Sequence, residues 1–138
     1  MYLQIITPEK SVFDEEVDEV LAPTEKGEIG ILPHHISLVT NLVPGELTIK
    51  QKGKEKAIAV TGGFLEVAHD KVTILADYAE HADKIDTQKA QEAQKRAEQI
   101  LSKKPEDLNE HDIIMAQAEL RRALLQQHIA QRHRRKSS

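Results

Sequence analysis

The hydrophobic period of the chain changes once, near residue 86, and this change limits the possible folds most. Before that point, apolar and polar residues alternate over short runs bounded by turn residues, as they do in half-buried β-strands. Beyond it, apolar residues recur at helical spacing. These residues are Ala90, Ala93, Ala97, Ile100 and Leu101. The sequence therefore predicts a β-domain over residues 1–85 and a helical domain over residues 86–138.

Two β-hairpins are predicted in the β-domain. The first lies in GELTIKQKGKEKAIAV, around a polar turn that contains Gly53, and the second lies in FLEVAHDKVTIL, around a turn at residues 69–71. In the first hairpin, the alternating apolar residues are Leu47 and Ile49 on one arm and Ile58 and Val60 on the other; in the second, Leu65 and Val67 face Val72 and Ile74. Further strands are predicted at Tyr2–Ile6 and Val17–Leu21. Strands at this spacing favour a β-sandwich or a barrel.

The helical domain is predicted to contain two helices joined by a short loop. Asp86 is the candidate N-cap of the first helix, and Pro105 discourages its continuation. Asn109 is the candidate N-cap of the second helix, whose apolar stripe is rich in alanine. The stripe comprises Ile113, Ala116, Leu120, Ala123 and Leu124. Two facing stripes of this kind predict a closely packed antiparallel hairpin.

The hairpin is expected to be easily displaced. Each helix is predicted to span about 16 to 20 residues, a length at which an isolated helix is marginal in water. Burial of alanine contributes little, because the gain follows apolar area at roughly 25 cal/mol per Å².

Charge and composition exclude several classes of protein. Residues 1–85 hold 8 Lys and Arg against 15 Asp and Glu, whereas residues 86–138 hold 11 against 8, so the two domains are expected to meet different partners. Because the chain contains no cysteine, a disulfide framework and a thiolate nucleophile are excluded. No apolar run is long enough for a membrane-spanning helix, and the amino terminus lacks the features of an export signal.

Motifs for catalysis or for metal binding are not found. His34 and His35 are adjacent, so their side chains diverge, and no third ligand follows at a spacing typical of zinc sites. The glycines do not form a phosphate-binding loop, the serines lack a nucleophile elbow, and the carboxylates show no paired-acid pattern. We therefore expect neither a metal site nor catalysis by this chain alone.

The segment GEIGILPHHISLVTNLVPGELTIK, from Gly27 to Lys50, resembles the signature of F-type ATP synthase epsilon subunits of the bacterial and chloroplast type. The resemblance extends through SVFDEEVDEVLAPT before it and TGGFLEVAHDKVTILAD after it, in the order and spacing of the family. In the helical domain, IDTQKAQEAQKRAEQIL and MAQAELRRALL are also similar to the family. The family has a small or short polar residue where this chain has His34.

This resemblance implies a fold, a function and partners. The fold is an amino-terminal β-sandwich followed by a carboxyl-terminal antiparallel two-helix hairpin. The sandwich is expected to bind the gamma subunit and rest on the membrane ring, the c-ring, so that the chain couples ion-driven rotation to ATP synthesis. The helical domain is expected to restrain ATP hydrolysis. The expected location is peripheral, on the cytoplasmic face of a bacterial plasma membrane, or alternatively on a plastid thylakoid, with membrane association only through the complex.

The resemblance also implies contact residues. Glu28 and His35 are expected to contact the polar loops of the ring. Basic residues of the second helix and the tail are expected to meet acidic segments of the catalytic beta subunits. They are Arg121, Arg122, Arg132, Arg134 and Arg135. An alternative for residues 132–136 is a disordered, solubilising tail.

A regulatory nucleotide is the only cofactor that the sequence suggests. IDTQKA resembles the I/L-D-x-x-R-A motif of some bacterial epsilon subunits, with Lys89 in place of arginine. Lysine cannot reproduce the planar set of donors of a guanidinium, so weak ATP binding is expected. Asp86, Lys89 and Arg96 are the candidate residues. The alternative interpretation is a capped helix with solvated charges.

Two other classes of function stay open. A free module that senses ATP would bind ATP saturably in isolation. A basic nucleic-acid binder would retain DNA in a salt-dependent way, but the basic segment lacks aromatic platforms, and we expect no nucleic-acid partner. Only the epsilon interpretation accounts for residues 1–85.

Overall fold

The computed structural model describes residues 1–137, and their side chains up to residue 134. The chain divides into two compact units, Met1–Asp83 and a second unit that begins at Lys84. Ten strands form the first unit. They are β1 (Tyr2–Ile6), β2 (Ser11–Glu16), β3 (Glu19–Thr24), β4 (Gly27–Ile31), β5 (Leu38–Leu42), β6 (Gly45–Gln51), β7 (Lys54–Val60), β8 (Gly63–Ala68), β9 (Lys71–Ala76) and β10 (Ala79–His81).

The strands follow the order β10-β7-β6-β3-β5-β8-β9-β1-β2, with β4 paired to β3. A single residue pair, Thr24 opposite Leu42, joins β3 to β5 and links the two halves of this path. Buried residues from both halves belong to one hydrophobic cluster, for example Leu47 on β6 and Ile74 on β9. The two halves therefore face each other as layers, and the predicted β-sandwich is confirmed.

Both predicted hairpins are present, and the second has the predicted pairs. Leu47 lies opposite Ile58 on β6 and β7, and Leu65 lies opposite Ile74 on β8 and β9. The first turn is formed by Lys52 and Gly53 alone, both with positive φ, which is the geometry that matches the twist of paired strands. The second turn is one residue shorter than predicted, because residue 71 already belongs to β9.

The strand predicted at Val17–Leu21 is wrong in its bounds. β3 runs from Glu19 to Thr24 and continues through Pro23, although proline is uncommon inside a strand. Proline is tolerated there because its carbonyl accepts the Val43 N–H at 3.0 Å, while its missing N–H is not needed. A separate strand, β2, precedes β3 and was not predicted.

Two helices form the second unit: α1 (Thr87–Leu101) and α2 (Glu110–Ser137). Both predicted caps are confirmed, since the Asp86 carboxylate accepts the Lys89 N–H at 3.1 Å and the Asn109 side chain accepts the Asp112 N–H at 2.8 Å. A short 3₁₀ turn, Pro105–Asp107, lies in the connection.

The length of α2 was underestimated. It has 28 residues, whereas α1 has 15, so the segment suggested as a disordered tail continues the helix. No glycine or proline follows Pro105, and therefore nothing in the local sequence stops the helix.

Most of the buried side chains of the hairpin are small. Ala90 and Ala97 of α1 and Ala116 and Ala123 of α2 are buried, and alanine lets two helix backbones approach closely. Leu124, predicted on the apolar stripe, is instead exposed, because it lies about 100° around the helix from Ala123. Ile129 and Ala130 are buried and were missed.

Candidate functional site

Leu32 to His35 form a tight turn after β4. The His35 N–H donates to the Leu32 carbonyl at 3.1 Å, Pro33 occupies the second position, and His34 occupies the third with φ of 65°. Proline followed by a residue of positive φ is the signature of a type II turn, whose third position favours glycine. A non-glycine residue in this conformation costs of the order of 1 kcal/mol or more. The histidine that departs from the family pattern is therefore at a position where its backbone is strained.

Glu28 lies near the start of β4, and His35 lies four residues after the end of β4. Glu28 is exposed on the strand, and His35 is half-buried in the turn. The His35 Nδ1 lies 2.7 Å from the Ile36 carbonyl, which can only accept, so Nδ1 carries the proton and Nε2 is left for another partner. Neither a hydrogen bond nor an ion pair joins these two side chains, both of which the structure describes. They form two separate polar positions.

Asp70 anchors the turn from another part of the fold. Its Oδ1 accepts the His34 backbone N–H at 2.8 Å, across 36 residues of sequence. This hydrogen bond holds the pKa of the Asp70 carboxyl below its ordinary value of 3.8. Because the folded-state pKa is lowered, the bond contributes to stability above pH 3.8, and this contribution is lost as the pH falls through the folded-state value. Sequence reasoning missed Asp70, although aspartate in a hairpin turn is a common acceptor of backbone N–H groups.

One outer surface of the sandwich carries three exposed apolar side chains among polar ones. Asn41, Phe64 and Leu75 lie opposite one another across β5, β8 and β9, and therefore point to the same face. Their neighbours Leu65 and Ile74 are fully buried, so this face is the outer one. Val39, two residues before Asn41, shares it. Val39, Phe64 and Leu75 are 69%, 59% and 51% exposed, and we call these three residues the outer apolar face.

A shallow depression of about 370 Å³ adjoins the outer apolar face. Phe64 and Leu75 contribute to its wall, together with Ile6 and Pro8 from the end of β1. Large apolar side chains exposed side by side are uncommon on proteins that act alone, and such patches mark interaction sites.

Three polar contacts between described side chains of α1 and α2 are named here the interhelical clasp. The Arg96 guanidinium donates to the Glu119 carboxylate at 3.1 Å, and the Gln127 amide donates to the Gln94 carbonyl oxygen at 2.7 Å. The Arg134 guanidinium donates to the Thr87 hydroxyl at 2.9 Å. Arg96 and Glu119 are each more than one-third exposed, so their ion pair contributes only about 0.2 to 1 kcal/mol.

The candidate nucleotide residues have contacts within the hairpin. Asp86 caps α1, and Arg96 pairs with Glu119 in the clasp. Asp86 and Lys89 share the first turn, whereas Arg96 lies about 10 Å further along the helix axis. The geometry thus fits the capped-helix interpretation, and the binding of ATP stays a prediction.

The predicted basic contacts lie along α2. The side chains of Arg121, Arg122 and Arg132 are exposed, and Arg134 belongs to the clasp. The fifth predicted residue, Arg135, has a side chain outside the described residues.

The chain matches two family domains in succession. Residues 1–82 match the family described as ATP synthase, Delta/Epsilon chain, beta-sandwich domain. Residues 83–131 match the family described as ATP synthase, Delta/Epsilon chain, long alpha-helix domain. The chain belongs to the ATP synthase delta/epsilon family. Within this family it is of the epsilon type, as the resemblance predicted, because relatives that match most of its length are epsilon chains.

Bacterial members of the family are similar over most of their length. The chain is 50% identical over 109 residues to the ATP synthase epsilon chain of Desulforamulus reducens, which covers 79% of this chain and 83% of the relative. It is 47% identical over 134 residues to the ATP synthase epsilon chain of Dehalococcoides mccartyi, which covers 96% and 93%. The epsilon-type chain is therefore a structural subunit of an F-type ATP synthase.

Solved ATP synthases contain chains of the same fold. A chain of the Euglena gracilis mitochondrial ATP synthase, in a structure of OSCP, F1 and the c-ring, matches with a TM-score of 0.66 at 27% identity, over 86% of this chain and 74% of that chain. A chain from the central stalk and c-ring of the Tetrahymena thermophila enzyme matches with a TM-score of 0.54 at 20% identity, which supports the fold alone.

Two further observations concern the part of the epsilon-type chain that the structure describes. None of its helices combines the length and the apolar character needed to cross a membrane. Its histidines and carboxylates form no group of three or more that could hold a metal ion.

Proposed function

We propose that this epsilon-type chain links the gamma subunit to the c-ring, couples ion-driven rotation to ATP synthesis, and restrains ATP hydrolysis through α1 and α2. Its action is structural, and catalysis belongs to the alpha and beta subunits. The chain works at the cytoplasmic face of a bacterial membrane, which it meets only through the complex. The observation that carries this proposal is the outer apolar face, since a link within a stalk needs a surface that holds a partner.

The outer apolar face suits the gamma subunit as its partner. Its three large side chains are more than half exposed and lie on neighbouring strands of a rigid layer, so they can be buried on binding without a change of backbone. Burial of such side chains contributes roughly 25 cal/mol per Å² of apolar area. A coupling subunit must transmit torque, and apolar packing of this kind provides a firm attachment.

Changing Phe64 and Leu75 together to serine is expected to release the chain from gamma. The loss of two central apolar contacts weakens the complex by roughly 100-fold or more, at about tenfold for each 1.4 kcal/mol. Ile114→Ser is the matched control, because Ile114 is 54% exposed but lies on α2. The measurement is co-purification and calorimetric affinity with isolated gamma. Unchanged affinity of the double variant, with the fold intact by circular dichroism, would show that gamma binds elsewhere.

Glu28 and His35 are proposed to meet the polar loops of the ring. Both lie in a segment that resembles the family closely, and both present polar groups: Glu28 is exposed near the start of β4, and His35 follows the end of β4. Charge reversal at Glu28 or loss of the His35 imidazole should therefore weaken binding to the ring. The contact with gamma and the catalytic sites should not change.

The expected result of Glu28→Lys or His35→Ala is less ion pumping per ATP hydrolysed, with hydrolysis itself preserved. One exposed polar contact contributes only about 0.2 to 1 kcal/mol, so each single change has a partial effect and the double change a larger one. The measurement is ATP-driven ion uptake in vesicles with the reconstituted enzyme. Glu9→Lys is the control, because Glu9 is also exposed, in the loop after β1, and is not among the residues proposed to contact the ring. Normal pumping in the double variant would rule out the ring contact.

A further inference from the structure

Interactions within the Leu32–His35 turn are too few to stabilise its conformation. Its third residue, His34, has φ of 65°, which a histidine adopts at a cost. The single hydrogen bond inside the turn, from the His35 N–H to the Leu32 carbonyl, leaves the His34 N–H to find another acceptor. The neighbouring side chains Leu32 and Ile36 are 56% and 80% exposed, so packing does little to fix the segment. A contact from outside the turn must stabilise it.

Asp70 supplies this contact. Its carboxylate Oδ1 accepts the His34 N–H at 2.8 Å, and a bond to an ionised acceptor is among the stronger hydrogen bonds. Asp70 is itself rigidly placed, because it lies in the two-residue turn between β8 and β9, and its carbonyl accepts the Tyr2 N–H at 3.1 Å. The bond therefore transfers the rigidity of the β8–β9 hairpin to the strained position of the turn.

We propose that Asp70 is a positioning residue that fixes the Leu32–His35 turn and thereby presents His35 to the ring, an inference that rests on the ring contact proposed above. Asp70 acts through the His34 backbone, which sets the direction of the following residue. The strain that His34 introduces, where the family has a small or short polar residue, makes the anchor necessary in this chain.

Three variants separate the possible effects. Asp70→Gly removes the acceptor without straining the hairpin, because glycine readily adopts the φ of 59° found at this position. Asp70→Asn keeps an acceptor oxygen and also tolerates positive φ, so it should rescue the turn. Asp70 also lies 3.7 Å from the Met1 amine, whereas the amine is closer to Glu16, at 3.0 Å. Glu16→Gln therefore tests the amine contacts while leaving the His34 bond in place.

The first measurement is hydrogen exchange of the His34 amide by NMR on the isolated full chain. We expect exchange to become roughly 10- to 100-fold faster in Asp70→Gly, from the loss of one charge-assisted bond, and close to normal in Asp70→Asn and Glu16→Gln. The amide proton shift should move in the same variant only. Unchanged exchange in Asp70→Gly would overturn the inference at its structural step.

The second measurement is ion pumping per ATP hydrolysed by the reconstituted enzyme. Asp70→Gly should lower this ratio as His35→Ala does, and Asp70→Asn should restore it. If His35→Ala uncouples but Asp70→Gly does not, the positioning role is wrong and the ring contact stands. If neither Glu28→Lys nor His35→Ala changes the ratio, the proposed ring contact fails, and the positioning role fails with it.

Discussion

Replacing Gly63 with alanine is expected to lower the free energy of unfolding by roughly 3 to 5 kcal/mol, because strain and overpacking act together. A Cβ at this position would lie 2.1 Å from the Leu75 carbonyl oxygen and 2.9 Å from the Ala76 Cα, and both are backbone atoms that cannot turn aside. The φ of Gly63 is 144°, a conformation that side chains rarely adopt. Since small proteins have a total stability of about 5 to 15 kcal/mol, this loss is a large fraction.

Gly63 lies on β8, which pairs with β5 on one side and with β9 on the other, so a clash at this position affects three strands of one layer. Gly63 pairs with Leu42 on β5 and with Ala76 on β9, and Phe64 of the outer apolar face follows it directly. A shift of β8 away from β9 would therefore disturb both the core and the proposed gamma surface.

The matched control for this prediction is Gly53→Ala. Gly53 also has positive φ, 77°, but no atom lies within 4 Å of the place where its Cβ would be. Its replacement should cost about 1 kcal/mol, from backbone strain alone. Urea unfolding of the full chain, followed by circular dichroism, measures both values. Similar losses for the two variants would show that β8 and β9 can separate without penalty, and would refute the clash.

Removing the helical unit is expected to raise ATP hydrolysis by the assembled enzyme about fivefold or more, the lower end of a coupling free energy of 1 to 3 kcal/mol. A chain that ends at Asp83 keeps the whole hydrophobic cluster, to which neither α1 nor α2 contributes a residue. It should fold and still co-purify with gamma, since the outer apolar face lies within residues 39–75. Equal rates of ATP hydrolysis with and without the helical unit would show that this unit does not restrain hydrolysis.

Variants of the interhelical clasp test which conformation of the helical unit restrains ATP hydrolysis. We propose that the folded hairpin releases hydrolysis and that an extended form, with its basic residues on acidic beta-subunit surfaces, restrains it. The clasp and an alanine seam hold the folded form, and neither contributes much free energy, so a few kcal/mol separate the two forms. Changing Thr87, Gln94 and Glu119 to alanine should then lower hydrolysis. Alanine is a good helix former, so α1 and α2 themselves are preserved.

Removing the basic residues of α2 should change the rate of ATP hydrolysis in the opposite direction. Changing Arg121, Arg122 and Arg132 together to alanine removes proposed contacts of the extended form but leaves the clasp, so hydrolysis should rise partway toward the truncated chain. High salt should narrow the difference from the unaltered chain, because exposed charges are screened. A change of the same sign in the clasp variant and the arginine variant would contradict the two-form scheme.

The sequence by itself determined the features that depend on near neighbours. The caps at Asp86 and Asn109 could be predicted because each accepts an N–H only three residues away. The register of Leu65 opposite Ile74 could be predicted because a short turn and an alternating pattern leave one pairing that buries the apolar residues. The expectation of a β-sandwich or a barrel followed from the same local patterns, whereas the family followed from the resemblance of the Gly27–Lys50 segment.

Only the tertiary structure decided which apolar residues face outward and which distant groups meet. Phe64 and Leu65 are adjacent and both apolar, and the opposite layer of the sandwich determines which of them is buried. The contact between Asp70 and the His34 N–H joins two turns that are 36 residues apart, and no local pattern encodes it. Such contacts depend on the order of strands across both layers, which hydrophobic burial over the whole chain selects, whereas a local pattern fixes only the strands themselves.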